Sequence, residues 1–206
     1  MGAAQTIYLI RHGETAYNAR RILQTPEVPL SEHGLEQARR LAERLAGAGI
    51  ARILSSDLER AVMTARALEA TTRAPIHLDA LLQERNFGAL RGTAYADLGF
   101  DPFAPGYEPP EGESVPRFHE RVERAWSLIQ QHAAAAGGPL AVVTHGLVCR
   151  DLVDRHLTVP PELLAPADPH RWINTCVTEI DGPPWTVRLL ACTTHLEFRK
   201  GTDLRI

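Results

Sequence analysis

The sequence predicts an α/β fold built on a central, mostly parallel sheet flanked by helices. Two observations carry this expectation. Short apolar runs, at 6–10, 50–54, 76–78 and 140–144, alternate with longer segments whose apolar residues recur at helical spacing. Two of those runs end in a His-Gly step, reached through Arg11 at the first, and another leads within a few residues to an arginine. Open α/β sheets bind their ligands at such strand ends. A chain of 206 residues is long enough for one sizeable core.

The first run, Thr6-Ile7-Tyr8-Leu9-Ile10, is apolar and partly β-branched, and it stops at Arg11-His12-Gly13-Glu14-Thr15. An imidazole beside a guanidinium suits attack on an anionic electrophile, because the arginine neutralises charge that would repel a nucleophile. Gly13 removes a side chain next to the imidazole, which lets a ligand approach the backbone. Taken alone, the stretch reads equally as a surface Arg-His pair.

Residues 16–25 read as a short helix or turn leading into a loop punctuated by Pro26 and Pro29, in which Asn18, Gln24 and Thr25 carry ligand-capable polar groups. Ser31 is placed to cap a helix with Leu35, Ala38, Leu41, Ala42 and Leu45 on one face, ended by Gly47 and Gly49. Ser56 and Glu59 have capping-box spacing ahead of the next helix, whose stripe is Leu58, Ala61, Val62, Ala65 and Leu68. Arg60 lies off that stripe in the first turn. The helix macrodipole disfavours a cation there, so Arg60 reads as a ligand-binding group or as a solvated side chain. Glu84 lies in a stretch that carries Leu81, Leu82 and Phe87, and partial burial would raise its pKa toward a general-acid value.

Between 93 and 116 the composition shifts to proline, glycine and aromatics, with five acidic side chains and no lysine or arginine. A long irregular insert of this kind reads as a lid or binding loop. If it covers the site, its carboxylates would disfavour a second anionic group on the substrate. Ser114 then caps a long helix with Val115, Phe118, Val122, Ala125, Trp126 and Ile129 on one face, ended by Gly137-Gly138. Leu140–Thr144 is the clearest central strand, and it ends in His145-Gly146. A closing hairpin is expected around Asp181-Gly182-Pro183.

The formal net charge of −3 gives no general reason to expect nucleic acid or an anionic membrane as partner. Cys149, Cys176 and Cys192 are odd in number and widely spaced, which argues against a disulfide framework. No apolar run reaches membrane-spanning length and the N-terminal residues do not resemble a leader, so a cytoplasmic location is expected. No H-E-x-x-H or clustered Asp/His ligand set occurs, and neither a metal nor another cofactor is expected.

If the strands are parallel neighbours, Arg11, His12, Arg60 and His145 meet on one sheet edge. Four basic groups in one site repel each other unless they hold a multiply charged anion, and a phosphoryl group fits. Arg11-His12-Gly13-Glu14-Thr15, Ser55-Ser56-Asp57-Leu58-Glu59-Arg60-Ala61, Glu84 with Phe87-Gly88 and Gly92, Gly112-Glu113-Ser114 and His145-Gly146 occur in the order found in the histidine phosphatase superfamily, which this chain resembles. The resemblance implies a phosphoglycerate-mutase-like three-layer sandwich over residues 1–206 as one domain, with the lid-like insert at about 93–116. It implies that His12 becomes a phosphohistidine, that Arg11, Arg60 and His145 hold phosphoryl oxygens, and that Glu84 protonates the leaving oxygen. Asn18, Gln24, Thr25 and Gly146 are the implied substrate-binding positions. The family's glycine after Gln24 is Thr25 here. Mutases of the family tend to carry a basic insert and His-Tyr after the Glu-Arg pair. This chain has an acidic insert and Asn86-Phe87. The expected activity is therefore hydrolysis of a small phosphomonoester. A cofactor-dependent phosphoglycerate mutase and a non-catalytic phosphate-binding protein are the alternatives.

Overall fold

The computed structural model describes residues 5–164 and 172–196. In chain order it comprises β1 (Gln5–Arg11), α1 (Ala16–Arg20), α2 (Glu32–Leu45), β2 (Arg52–Ser55), α3 (Glu59–Thr72), β3 (Ile76–Leu78), α4 (Val115–Ala135), β4 (Leu140–Thr144), α5 (Gly146–His156), β5 (Val177–Gly182) and β6 (Thr186–Cys192). The strands form one sheet in the order β3-β2-β4-β1-β5-β6, parallel from β3 to β1 and antiparallel at β5 and β6.

Successive strand residues point to opposite faces, and here both faces are apolar, as expected of a sheet covered on each side. Ile7, Leu9, Leu140 and Val142 pack with α4 and α5, through residues such as Phe118, Val122, Ile129 and Leu152. Ile10, Ile53, Ala141 and Val143 pack with α2 and α3, through Leu41, Leu45, Ala65 and Leu68. This is the three-layer sandwich. β4 is buried at every position, and truncating Leu140 to alanine would cost about 2–5 kcal/mol.

Local signals fix most element ends. Ser31 accepts from the Gly34 N–H and Ser114 from the Arg117 N–H, and Gly137 takes a left-handed φ of 73° beyond α4. Two details differ from expectation. β2 begins at Arg52 rather than Ile50, which is buried but lies outside the ladder. Leu35, expected on the buried stripe of α2, is 48% exposed. The buried face of α2 runs through Gly34, Gln37, Ala38 and Leu41, with Gly34 against the backbone of Glu14, and Leu35 lies to its side.

That same contact revises the reading of Gly13. A Cβ there would lie 2.7 Å from the Gly34 carbonyl oxygen, and one on Gly34 would lie 1.9 Å from the Glu14 oxygen. The space left by Gly13 therefore admits the backbone of α2, not a ligand.

Candidate active site

Because β1, β2 and β4 run parallel, their C-terminal ends open onto one edge, and the segments that follow them carry the basic groups. Arg11 ends β1 opposite Thr144, and the His12 N–H donates to the Thr144 carbonyl at 2.9 Å. His145 follows β4 as the N-cap of α5, and Arg60 lies in the first turn of α3. Glu84 follows β3. Arg11, His12, Arg60 and Glu84 line one cavity, and the His145 ring lies behind His12 with centroids 5.1 Å apart.

His12 is 2% exposed, and its Nδ1 lies 2.6 Å from the Gly13 carbonyl oxygen. A carbonyl only accepts, so Nδ1 carries the proton and Nε2 keeps its lone pair. Burial, then the charges of Arg60 and Arg11, hold the His12 pKa well below 6.5, so the ring is neutral at pH 7. His145 is fully buried, and its pKa is likewise depressed by burial, then by Arg60 and His12. Its Nε2 lies 2.8 Å from the Ser56 hydroxyl. A hydroxyl that donates there places the ring proton on Nδ1.

Three buried nitrogens at this site, Arg11 Nε, Arg60 Nε and His145 Nδ1, make no hydrogen bond to a described residue. Buried polar atoms without partners are rare, and two of these belong to guanidinium groups that line the one cavity, a pairing that suits an oxyanion. The Arg60 pKa is lowered by burial to about 10, which leaves it cationic at neutral pH. The Glu84 carboxylate accepts from the Arg85 N–H at 2.9 Å and the Leu147 N–H at 3.1 Å. Burial nonetheless raises its pKa above the ordinary 4.5. Among the described residues no group of three or more His, Cys, Asp or Glu side chains is arranged to share a metal ion.

Asn18 and Gln24 reach the cavity. The Oδ1 of Asn18 is taken by Thr15 N–H and by Asn174 Nδ2, and Oε1 of Gln24 by the Thr15 hydroxyl, so each has its amide NH2 left to offer. Thr25 enters indirectly, its carbonyl accepting from Arg60 at 3.1 Å. Gly146 opens α5 from a buried position and is not on the cavity wall, whereas its neighbour Leu147 is.

Several contributing residues escaped the sequence reading. Ser56 was expected to cap α3. The N-cap is instead Leu58, and the Ser56 hydroxyl oxygen accepts from the Leu58 N–H at 3.3 Å while lying 2.8 Å from His145 Nε2. Asn174 Nδ2 donates to the His12 carbonyl at 3.0 Å, Thr175 N–H to the carbonyls of Arg11 and His12, and the Arg11 guanidinium to the Trp172 carbonyl.

The insert also turns out otherwise than its charge suggested. Its start is stitched to the loop after α1 by Gly92 N–H to Leu23 O, Leu23 N–H to Thr93 O and Tyr95 N–H to Arg21 O. It presents Tyr95 and Phe103 to the cavity, and none of its five carboxylates lines that cavity. Glu113 instead pairs with Arg121 at 2.8 Å, and Asp101 caps the Phe103 N–H. Arg91 and the buried Arg85, which donates to the Glu113 and Tyr107 carbonyls, line the cavity instead, so the expected repulsion of a second anion has no structural basis.

The family model for the histidine phosphatase superfamily, branch 1, matches residues 7–193. The chain belongs to this superfamily. Among curated relatives, the Proteus mirabilis protein named "Probable phosphoglycerate mutase GpmB" is 32% identical over 216 residues, 97% of this chain and 96% of its own. Solved structures include the alpha-ribazole phosphatase from Shigella flexneri, 28% identical with a TM-score of 0.75, covering 91% of this chain and 96% of that one. A mycobacterial glucosyl-3-phosphoglycerate phosphatase in complex with VO3 is 27% identical with a TM-score of 0.74, over 92% of this chain and 100% of that one. This branch-1 chain thus has phosphatase and mutase names among its superfamily relatives.

Proposed function

We propose that the chain is a phosphomonoester hydrolase that works through a phosphohistidine. The observation that carries this is a neutral imidazole with its proton fixed on Nδ1, set in one cavity with a carboxyl group whose pKa is raised. Nε2 of His12 attacks phosphorus as the ester P–O bond breaks, and Glu84 gives its proton to the leaving alkoxide. Arg11, Arg60 and His145 neutralise the phosphoryl oxygens. Water then attacks the phosphoramidate, Glu84 takes its proton, and the P–N bond breaks to restore Nε2. Asn18 and Gln24 would position the phosphoryl group or the ester body. Tyr95 and Phe103 would make the insert a partial cover. The reaction would run without a metal in the cytoplasm, on a small phosphorylated substrate.

Hydrolysis of p-nitrophenyl phosphate with trapping of an acid-labile phosphoenzyme tests the proposal, and absence of both would refute it. A phosphoglycerate mutase is the second reading, favoured by Arg91 on the cavity wall, where a substrate carboxylate could sit. Interconversion of 2- and 3-phosphoglycerate would establish it. A binding protein without turnover is disfavoured, because binding alone gives no reason to hold Glu84 where its pKa is raised.

A further inference from the structure

Glu84 stands in a stretch without regular structure. A 3₁₀ turn at Ala80–Leu82 precedes it and another at Gly88–Leu90 follows, while residues 83–87 belong to no helix or strand. The backbone polar groups of such a segment must find partners elsewhere, and those partners fix where its side chains point. Two residues that the proposed reaction does not use supply several of them: Glu113, near the end of the insert, and Arg121 on α4.

The Arg121 guanidinium points its donors in two directions. Nε and one terminal nitrogen donate to the two oxygens of the Glu113 carboxylate, each at 2.8 Å. The other terminal nitrogen donates to the carbonyls of Leu81, at 2.8 Å, and of Gln83, at 2.7 Å, the latter being the residue before Glu84. Glu113 holds the other side. Its N–H donates to the Asn86 carbonyl at 2.8 Å, its Oε2 accepts from the Asn86 N–H at 3.3 Å, and its carbonyl accepts from Arg85 Nε at 3.0 Å. The pair thus grips the chain on both sides of Glu84. One oxygen of the Glu84 carboxyl accepts from the Arg85 N–H at 2.9 Å, so the direction of the carboxyl follows that same backbone. Neither Arg121 nor Glu113 lines the catalytic cavity, and their side chains are only 17% and 14% exposed, so any effect on the reaction passes through Glu84.

We infer that the Arg121–Glu113 pair positions Glu84, fixing the backbone that carries it and so aiming its carboxyl at the leaving oxygen. The inference rests on the hydrolase reading for the role of Glu84. The planar fork of an arginine meets a carboxylate with one edge and two carbonyls with its remaining nitrogen. A lysine keeps the charge but has a single donor atom and cannot hold both sides at once.

Arg121→Lys therefore tests the geometry with the charge retained. It should lower kcat/KM for glycerol phosphate, a poor leaving group, by about tenfold or more, a part of the roughly 10²–10⁴-fold that general acid catalysis supplies. For p-nitrophenyl phosphate, whose leaving group departs without a proton, the loss should stay below about threefold. In a Glu84→Gln background the loss on glycerol phosphate should disappear, since nothing is left to position. Glu113→Gln, which keeps the shape and one acceptor oxygen, should show the same selectivity, and a retained rise in Tm with phosphate shows each variant folded. Equal losses on the two esters, or an undiminished loss in the Glu84→Gln background, would overturn the inference. If the parent protein hydrolyses neither ester, the hydrolase reading fails. In that case, or if glycerol phosphate alone resists, the carbon-13 resonance of the Glu84 carboxyl decides the positioning by itself. Its titration midpoint, above 4.5 in the parent, should move toward 4.5 in Arg121→Lys as the loosened carboxyl gains water, and an unmoved midpoint would overturn the role of the pair.

Discussion

The Ser56 hydroxyl lies 2.8 Å from Nε2 of His145 and joins the end of β2 to the end of β4 beside the His12 imidazole. The hydroxyl has no place on the cavity wall, so its effect on the reaction passes through His145. Ser56→Ala should lower kcat/KM about tenfold, the value of one buried hydrogen bond. The loss should fall on kcat more than on KM, and Ser56→Thr should recover part of it if the added methyl is accommodated. Steady-state kinetics of the two variants check this. An unchanged kcat in Ser56→Ala would remove the positioning role.

His12→Ala should reduce turnover by at least about 10³-fold, or roughly 4 kcal/mol of barrier. Brief incubation with labelled substrate, followed by gel analysis under alkaline conditions, should show an acid-labile phosphoenzyme in the parent protein and none in the variant.

The pH profile follows from two opposite shifts. Attack needs His12 neutral, and its pKa is depressed, so the acid limb of kcat/KM should lie well below pH 6.5. Leaving-group protonation needs Glu84 protonated, and its pKa is raised, so the alkaline limb should lie above pH 4.5. Glu84→Gln should flatten the alkaline limb for alkyl phosphates and cost much less for aryl phosphates, whose leaving groups depart without a proton. Stability carries the same signs. The raised carboxyl contributes stability fully below pH 4.5 and loses it as pH rises through the folded-state value. The depressed imidazole contributes above pH 6.5 and loses it as pH falls. Glu84→Gln should therefore gain stability relative to the parent as pH rises from 4 to 8, read by thermal unfolding at each pH.

Phosphate or vanadate should stabilise the fold with no metal added. At about 100 times Kd the gain is roughly 2.7 kcal/mol, since only the folded chain assembles the site. Arg60→Ala should abolish most of that shift in Tm, and chelator should leave the activity intact. Loss of activity on chelation would reveal a metal requirement.

Arg91 lines the cavity, and under the mutase reading it is the cation that a substrate carboxylate would meet. Arg91→Ala should weaken kcat/KM for a phosphoester carrying a carboxylate severalfold and leave p-nitrophenyl phosphate nearly unchanged. A paired assay of 3-phosphoglycerate and the aryl phosphate reads this directly. Equal losses on both would place Arg91 at the phosphoryl group instead.

The sequence by itself determined the order of strands and helices and which side chains stand at the strand ends. Apolar runs such as Leu140–Thr144 and the 3.6-residue stripe of α4 are local patterns, and a strand that stops at Arg11-His12 can present those side chains only at its end. The Ser31 and Ser114 caps were legible for the same reason, since a cap bonds to a backbone three residues on. Ser56 shows where local reading fails. Its capping spacing points to the Glu59 N–H, but its oxygen accepts from the nearer Leu58 N–H and the hydroxyl is shared with an imidazole 89 residues away. Gly13 was read toward a ligand, and the backbone of α2 fills the space. An irregular insert has no period, so nothing in 93–116 states which side chains face inward; only the tertiary structure turned Tyr95 and Phe103 to the cavity and Glu113 toward Arg121. Local periodicity encodes elements, and the contacts that finish a site join residues distant in the chain, whose pairing is decided by packing.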